Sequence, residues 1–173
     1  RVSRETIISL EQYEKMLIIG NKTLNLIGNS TVPDIWNRHF LDSFQVIDFI
    51  GKNEKSLVDI GSGAGFPGVI LAIAAKDKKI PLKITLVDKS PKKIIFLKKI
   101  IQELNLNAQT LNKNILEDKV KFNDDIFVAR AFKPLPEILK LIHKKAENWK
   151  KIFVYQGKTW RKELQQASKN WDI

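Results

Sequence analysis

Three glycines that alternate with other residues carry the strongest chemical signal in the sequence. Gly61, Gly63 and Gly65 follow a short apolar run, and an apolar, helix-compatible stretch comes after them. Glycine has no Cβ, so a turn of this kind between a strand and a helix lets backbone amides approach a ligand closely. The helix N-terminus behind the turn adds unpaired N–H groups and a positive dipole end. The pattern therefore indicates a binding site for a small molecule.

Two aspartates indicate which class of molecule this is. Asp59 precedes Gly61 by two residues, and Asp88 ends the next apolar run, 23 residues after Gly65. An acidic residue at the end of the second strand is placed to bind the hydroxyls of a ribose. The dinucleotide fingerprint places its last glycine three residues after the second, whereas Gly65 comes only two residues after Gly63. The spacing favours an S-adenosylmethionine site over a dinucleotide site, and a tight turn without a ligand is the alternative.

Leu116, Glu117 and Arg130 follow later apolar runs at comparable positions. The first two lie in a polar loop after a weak third strand, and Arg130 directly follows a fourth. Ligands of open α/β sheets bind outside the carboxyl ends of the strands. Leu116 and Glu117 are therefore candidates to contact a base, although an exposed polar loop is an equally open interpretation. An arginine directly behind a buried strand needs a partner, because burying an unpaired charge is costly.

The first 50 residues predict helices rather than strands. Apolar residues recur at helical spacing over residues 3–19, with a glycine and an asparagine to end the helix, and a second helix is expected over residues 34–50. Arg38 and Asp42 lie four residues apart in the second helix, which favours a pair on its surface. The alternative interpretation places Arg38 and His39 at the mouth of the ligand site.

From residue 51 onward, strands alternate with helices. This order predicts a doubly wound α/β domain with a mostly parallel sheet, right-handed crossovers and helices on both faces. The length of 173 residues suits one domain. We therefore expect an N-terminal helical extension over residues 1–50, packed on a core over residues 51–173.

Composition bounds the environment and the partners. The net charge of +11 favours polyanionic partners, although 25 of the 30 basic residues are lysine and compositional drift explains such an excess equally well. The same two interpretations apply to Lys92 and Lys93, which belong to the basic face of one helix. There is no cysteine and hence no disulfide or cysteine metal site. No apolar run reaches membrane-spanning length and no secretory signal is visible, so we expect a cytoplasmic protein.

Longer motifs are more specific than the glycine turn. They occupy residues 25–26, 38–43, 59–68, 88–97 and 130–132. In these stretches the chain resembles the RsmG family, also called glucose-inhibited division protein B, over nearly its whole length. The resemblance implies a Rossmann-like class I S-adenosylmethionine-dependent methyltransferase fold. It also implies methylation of N7 of a guanine in 16S small-subunit ribosomal RNA.

The resemblance implies roles for individual residues. The expected contacts with S-adenosylmethionine are Gly61, Gly63, Gly65, Phe66, Asp88, Leu116, Glu117 and Arg130, with Asp88 on the ribose. Arg130 is also the expected catalytic residue. The expected RNA contacts are Arg38, His39, Lys92 and Lys93. The expected partner is small-subunit ribosomal RNA or the ribosomal subunit, bound by a monomer without a metal ion.

Three positions depart from the family pattern. Gly20 replaces a tryptophan, Ile115 replaces an arginine and Gln156 replaces a lysine, and the last two changes remove positive charge near the expected site. The family also continues past residue 173 into a terminal strand pair, so we expect a truncated core. Two alternatives stay open: an RNA-binding module that has lost catalysis, and a methyltransferase with a different substrate.

Overall fold

A five-stranded parallel sheet forms the centre of the computed structural model, which describes residues 2–172. The strand order is β3-β2-β1-β4-β5, so the chain direction across the sheet reverses beside β1. In sheets of this kind the ligand crevice opens at that reversal. The strands are β1 (Ser56–Ile60), β2 (Lys83–Asp88), β3 (Ala108–Asn112), β4 (Ile126–Arg130) and β5 (Lys151–Tyr155).

The register brings three candidate site residues to one edge. Ile60 pairs with Val87 of β2 and with Ala129 of β4, so the residues that follow these three lie side by side. All three paired residues are at most 1% exposed, as expected for strands covered on both faces. The residues that follow them are Gly61, Asp88 and Arg130.

Helices cover both faces of the sheet, and the predicted Rossmann-like α/β architecture is confirmed. One hydrophobic cluster contains Leu57 and Leu86, and the other contains the alternate residues Val58 and Val87. This alternation follows from the two-residue period of a strand. The helices of the α/β part are α3 (Gly68–Asp77), α4 (Pro91–Glu103), α5 (Leu135–Lys145) and α6 (Trp160–Ala167).

The first helix is longer than predicted. Helix α1 spans Arg4–Leu24 and ends at Asn25, which has a φ of 47°, so the prediction that it stops at residues 20 and 21 is wrong. Gly20 is a packing glycine: a Cβ there would lie 2.9 Å from the ring of Phe96. Asn21 accepts a hydrogen bond at its side chain from the amide of Ile27 at 2.9 Å, which fixes the connector after the helix.

Residues 29–49 form four short helical segments, of which the last three replace the single helix predicted over residues 34–50. They are a 3₁₀-helix over Asn29–Asp34, a π-helix over Trp36–Leu41, α2 over Asp42–Phe44 and a 3₁₀-helix over Gln45–Phe49. Two carbonyl groups of the π-helix make contacts outside the helix, because those of Arg38 and His39 accept hydrogen bonds from the side chain of Arg130. π-helical turns of this kind are frequent at functional sites.

The N-terminal helices pack on the same core as the sheet. Leu10, Tyr13 and Leu17 of α1 belong to the hydrophobic cluster that contains Leu57. The division at residue 50 stays a prediction, and the predicted ends at residues 1 and 173 lie outside the described residues. Helix α5 ends at Lys145, which is buried and whose carbonyl oxygen accepts a hydrogen bond from the amide of Phe122 at 2.8 Å.

Candidate active site

A cavity of about 490 Å³ opens at the carboxyl edge of the sheet. It is walled by the loops that follow β1, β2, β3 and β4, together with the π-helix. Gly65 is buried behind this wall, Arg38 lines a neighbouring cavity, and Glu117 and Lys92 are exposed outside both. The predicted site residues that line the first cavity are Gly61, Gly63, Phe66, Asp88, Leu116, Arg130, His39 and Lys93.

The glycine loop has a backbone that only glycine adopts easily. The φ angles of Gly61, Gly63 and Gly65 are 72°, 57° and 108°. A Cβ on Gly65 would lie 2.8 Å from the hydroxyl of Tyr13, which itself donates to the carbonyl of Ala64 at 2.7 Å. The turn is therefore held from behind by α1, and the amides of Gly61 and Gly63 are fixed by hydrogen bonds to Val87 and Asp88.

Asp88 ties the glycine loop to the second strand. Its Oδ2 accepts a hydrogen bond from the amide of Gly63 at 2.9 Å, and its Oδ1 accepts one from the amide of Ser90 at 2.8 Å. A carboxylate has about four lone-pair sites, so two remain for hydroxyl groups of a ligand. The carboxylate is thus oriented by the backbone while it lines the cavity. Its contact with a ribose stays a prediction.

Asp59 lies behind the glycine loop and is fully buried. Its Oδ2 accepts a hydrogen bond from the amide of Gly68 at 2.9 Å, whereas Oδ1 has no hydrogen-bond partner among residues 2–172. Burial, which disfavours the charged form, raises the pKa of Asp59 to about 7, against the hydrogen bond from Gly68. The carboxyl group therefore takes up a proton near neutral pH in the folded protein.

Replacing Asp59 with asparagine should change how stability depends on pH. Between its ordinary pKa of 3.8 and about 7 the folded protein holds a proton on Asp59 that the unfolded chain has lost. The wild-type free energy of unfolding, minus that of Asp59→Asn, should therefore fall as pH rises through this window, by at most about 1.4 kcal/mol per pH unit. Urea unfolding at pH 5 to 8 measures this, and a flat difference would contradict the buried, protonated carboxyl.

His39 and Phe66 form one wall of the cavity. Their rings stack with centroids 4.9 Å apart, and the interplanar angle is 16°. Burial and then the charge of Arg130 lower the pKa of His39 to about 4, so the imidazole is neutral. Arg130 donates to its Nδ1 at 3.3 Å, which leaves the proton on Nε2 to donate to the hydroxyl of Thr31 at 2.9 Å. Both ring nitrogens are therefore in use, and the predicted contact of His39 with RNA stays a prediction.

Arg130 holds the π-helix against the sheet. Its Nη2 donates to the carbonyl of Arg38 at 2.6 Å, and its Nη1 donates to the hydroxyl of Ser43 at 3.2 Å. Asp42 pairs with Nη2 at 3.3 Å, so the predicted surface pair of Asp42 with Arg38 is wrong. The guanidinium also lies 5.9 Å from the centre of the Phe66 ring. The planar fork of an arginine suits such a set of acceptors, which a lysine ammonium cannot match.

Sequence reasoning missed several residues of the site. Phe132 lines the cavity, and a Cβ on Gly61 would collide with its ring. Tyr155 ends β5 and donates to the carbonyl of Ser43 at 2.8 Å. A usable signal existed for both, because each lies at or just beyond the carboxyl end of a strand. The same signal applies to the exposed lysines at the cavity, Lys89, Lys113 and Lys133.

Within residues 2–172, no helix has the length and apolar character needed to cross a membrane. The same part of the chain holds no group of three or more histidine, cysteine, aspartate or glutamate side chains that suits a metal ion.

Comparison with solved structures supports the fold. A putative S-adenosylmethionine-dependent methyltransferase from Methanococcus maripaludis matches with a TM-score of 0.55 and 19% identity, over 81% of this chain and 67% of that one. A ribosomal protein L11 methylase from Lactobacillus delbrueckii matches with a TM-score of 0.56 and 14% identity, over 75% and 66% of the two chains. At such identities the likeness concerns the fold alone.

Sequence relatives define the family. A ribosomal RNA small subunit methyltransferase G from Pelagibacter ubique is 39% identical, over 99% of this chain and 81% of its own length. The protein of the same description from Rickettsia akari is 38% identical, over 98% and 85%. The family profile described as rRNA small subunit methyltransferase G, GidB, matches residues 6–173. The predicted family is confirmed: the chain belongs to the rRNA small subunit methyltransferase G family.

Proposed function

We propose that this protein uses S-adenosylmethionine to methylate N7 of a guanine in small-subunit ribosomal RNA. Membership of the family supports methyl transfer to ribosomal RNA, and the earlier resemblance supports N7 as the position. The observation that carries the proposal is Asp88, whose carboxylate is oriented by Gly63 and Ser90 at the edge where the sheet reverses direction.

The first cavity fits the cofactor. Asp88 would bind the ribose hydroxyls, and the glycine loop would approach the amino acid part closely. Phe66 and Leu116 provide apolar surface for the rest of the cofactor molecule. Glu117 lies outside this lining, so we expect the loop to contact the cofactor through Leu116 rather than through Glu117. When bound, S-adenosylmethionine supplies an electrophilic methyl group on a positively charged sulfur.

The site does not need to remove a proton from its substrate. Guanine N7 is a hydrogen-bond acceptor with a free lone pair and carries no hydrogen. His39 is neutral but engaged at both nitrogens, and Asp59 is sealed behind the glycine loop. Neither side chain is free to act as a base on a substrate. The site accordingly works through positioning and electrostatics, and Arg130 contributes by holding the wall in place.

Basic side chains around the cavity suit an RNA backbone. Four lysines line the first cavity and Arg38 lines the second, while Lys92 is exposed on α4 nearby. Such a rim favours phosphates, and a guanine in a single-stranded loop exposes the edges that a folded helix hides. The four lysines are Lys89, Lys93, Lys113 and Lys133.

We propose that the protein acts as a monomer in the cytoplasm.

Incubation with ribosomal RNA tests the function directly. Purified protein, S-adenosylmethionine and small-subunit RNA from cells that lack the protein should yield N7-methylguanine at one position, detected by nuclease digestion and mass spectrometry. Small-subunit RNA from cells that contain the protein is the control, since its site is already methylated. Binding of S-adenosylhomocysteine without methyl transfer to RNA would support a different substrate, and RNA binding without cofactor binding would support a module that has lost catalysis.

A further inference from the structure

A second cavity of about 500 Å³ adjoins the first. Arg130 and Ala131 line both cavities, so the two cavities adjoin at these residues. Ala131 has a φ of 49°, a left-handed conformation that is uncommon for residues other than glycine. Strained backbone of this kind persists where the surrounding structure holds it, and it concentrates at functional sites. The volume falls in the range of small-ligand pockets.

The second cavity presents an unusual set of polar groups. Asp42 contributes a carboxylate whose side chain is 42% exposed, and its Oδ2 is 3.3 Å from Arg130. A carboxylate only accepts hydrogen bonds, and a single ion pair leaves most of its lone-pair sites free. Gln156 adds an exposed amide with both a donor and an acceptor.

One wall of this cavity is aromatic and fixed. Tyr155 lines it, and the hydroxyl of Tyr155 donates to the carbonyl of Ser43 at 2.8 Å. The ring is therefore tethered at its far end and offers a face on which an unstacked base can lie. At the rim, the exposed Arg38 is placed for a phosphate.

These groups match guanine better than the other bases. The Watson–Crick edge of guanine carries two adjacent donors, the N1–H and the 2-amino group, beside the O6 acceptor. A carboxylate accepts from both donors, and an amide such as that of Gln156 donates to O6. As N7 gains positive charge during methylation, the N1–H and 2-amino group become stronger donors. Their hydrogen bonds to Asp42 then favour the transition state over the ground state.

We infer that the second cavity binds the acceptor guanine, with Asp42 as the residue that distinguishes guanine from other bases. The inference rests on the proposed function and names the substrate site within it. The methyl group would then pass directly from the sulfur of S-adenosylmethionine to guanine N7 where the two cavities meet, beside Arg130 and Ala131.

Nucleotide binding to the protein loaded with S-adenosylhomocysteine tests this assignment. In ¹⁵N NMR titrations, guanosine monophosphate should shift the backbone amides of Gln156 and Gly157. Inosine monophosphate, which lacks only the 2-amino group, should bind about tenfold more weakly because one hydrogen bond to a charged group is lost. Adenosine monophosphate should bind more weakly still. Equal binding of all three would mean that only the phosphate is recognised, and would overturn the inference.

Two variants localise the effect. Asp42→Asn should bring the ratio of guanosine to inosine affinity close to one, whereas Asp48→Asn, an exposed aspartate paired with Lys78, should leave the ratio unchanged. Gly157→Leu adds a large side chain to a residue that lines the cavity and should block it, and a Cβ at Gly157 meets no atom within 4 Å, so the substitution needs no change of the backbone. Guanosine monophosphate binding that survives Gly157→Leu would place the base elsewhere.

The result is separable from the proposed function. Calorimetry with S-adenosylhomocysteine on each variant reports the first cavity alone. If the cofactor product binds and ribosomal RNA is methylated, but guanosine monophosphate leaves Gln156 and Gly157 unshifted, the assignment of the second cavity falls and the methyltransferase function stands. If S-adenosylhomocysteine does not bind the wild-type protein, the proposed function itself falls.

Discussion

Alanine in place of Asp88 should weaken the binding of S-adenosylhomocysteine about 100-fold. The carboxylate lines the first cavity and is oriented by the amides of Gly63 and Ser90, at 2.9 and 2.8 Å. Removing it deletes the acceptors expected for two ribose hydroxyls and also frees the glycine loop. Hydrogen bonds to a charged group contribute about 1.5–3 kcal/mol each, and about 1.4 kcal/mol corresponds to a factor of ten in affinity. Isothermal titration calorimetry measures the change.

A matched variant separates this effect from a general loss of negative charge. Glu117 is exposed and outside the lining of the cavity, although the sequence predicts a cofactor contact there. Glu117→Ala should change the affinity by less than about twofold, in the range of surface substitutions. A large loss at Glu117 would show that its side chain does reach the cofactor. An unchanged affinity in Asp88→Ala would remove the basis for the site at this edge.

The sequence predicted the parts of the site that depend on strand ends. Each strand of a parallel sheet delivers its last residue to the same edge, so Asp88 and Arg130 could be assigned to one site before any coordinates. The glycine loop was predictable for a local reason as well, because alternating glycines between a strand and a helix are typical of a turn with positive φ angles. Local rules were sufficient at these strand ends, although they misplaced the end of the regular helix α1.

The contacts between distant segments were not predictable in the same way. Arg38 and Asp42 are four residues apart and were expected to pair along a regular helix, as local spacing favours. Instead Arg130, about 90 residues later, takes the carbonyl of Arg38 and the carboxylate of Asp42, in a segment whose helical hydrogen bonding is irregular. Tertiary contacts overrode the helical pattern. The second cavity escaped prediction because it exists only through this arrangement.

Alanine in place of Arg130 should reduce methylation of ribosomal RNA at least 100-fold. The guanidinium donates to the carbonyls of Arg38 and His39 and to the hydroxyl of Ser43, at 2.6, 3.5 and 3.2 Å, and it pairs with Asp42. Its loss removes all of these contacts, and the hydroxyl of Ser43, which is fully buried, would cost about 1–3 kcal/mol if left unsatisfied. The π-helix at the junction of the two cavities should therefore lose its fixed position, and misplacement of about 1 Å can cost about 100-fold in rate.

The titration of His39 distinguishes displacement of the π-helix from global unfolding. Arg130 is the second cause, after burial, of the lowered pKa of about 4 at His39. In folded Arg130→Ala protein the pKa of His39 should rise toward its ordinary value of 6.5, which NMR of the imidazole follows directly. Arg130→Lys keeps a positive charge but not the fork, so it should keep the pKa of His39 low while activity stays impaired. A folded Arg130→Ala variant with normal turnover and an unchanged His39 pKa would exclude a positioning role for Arg130.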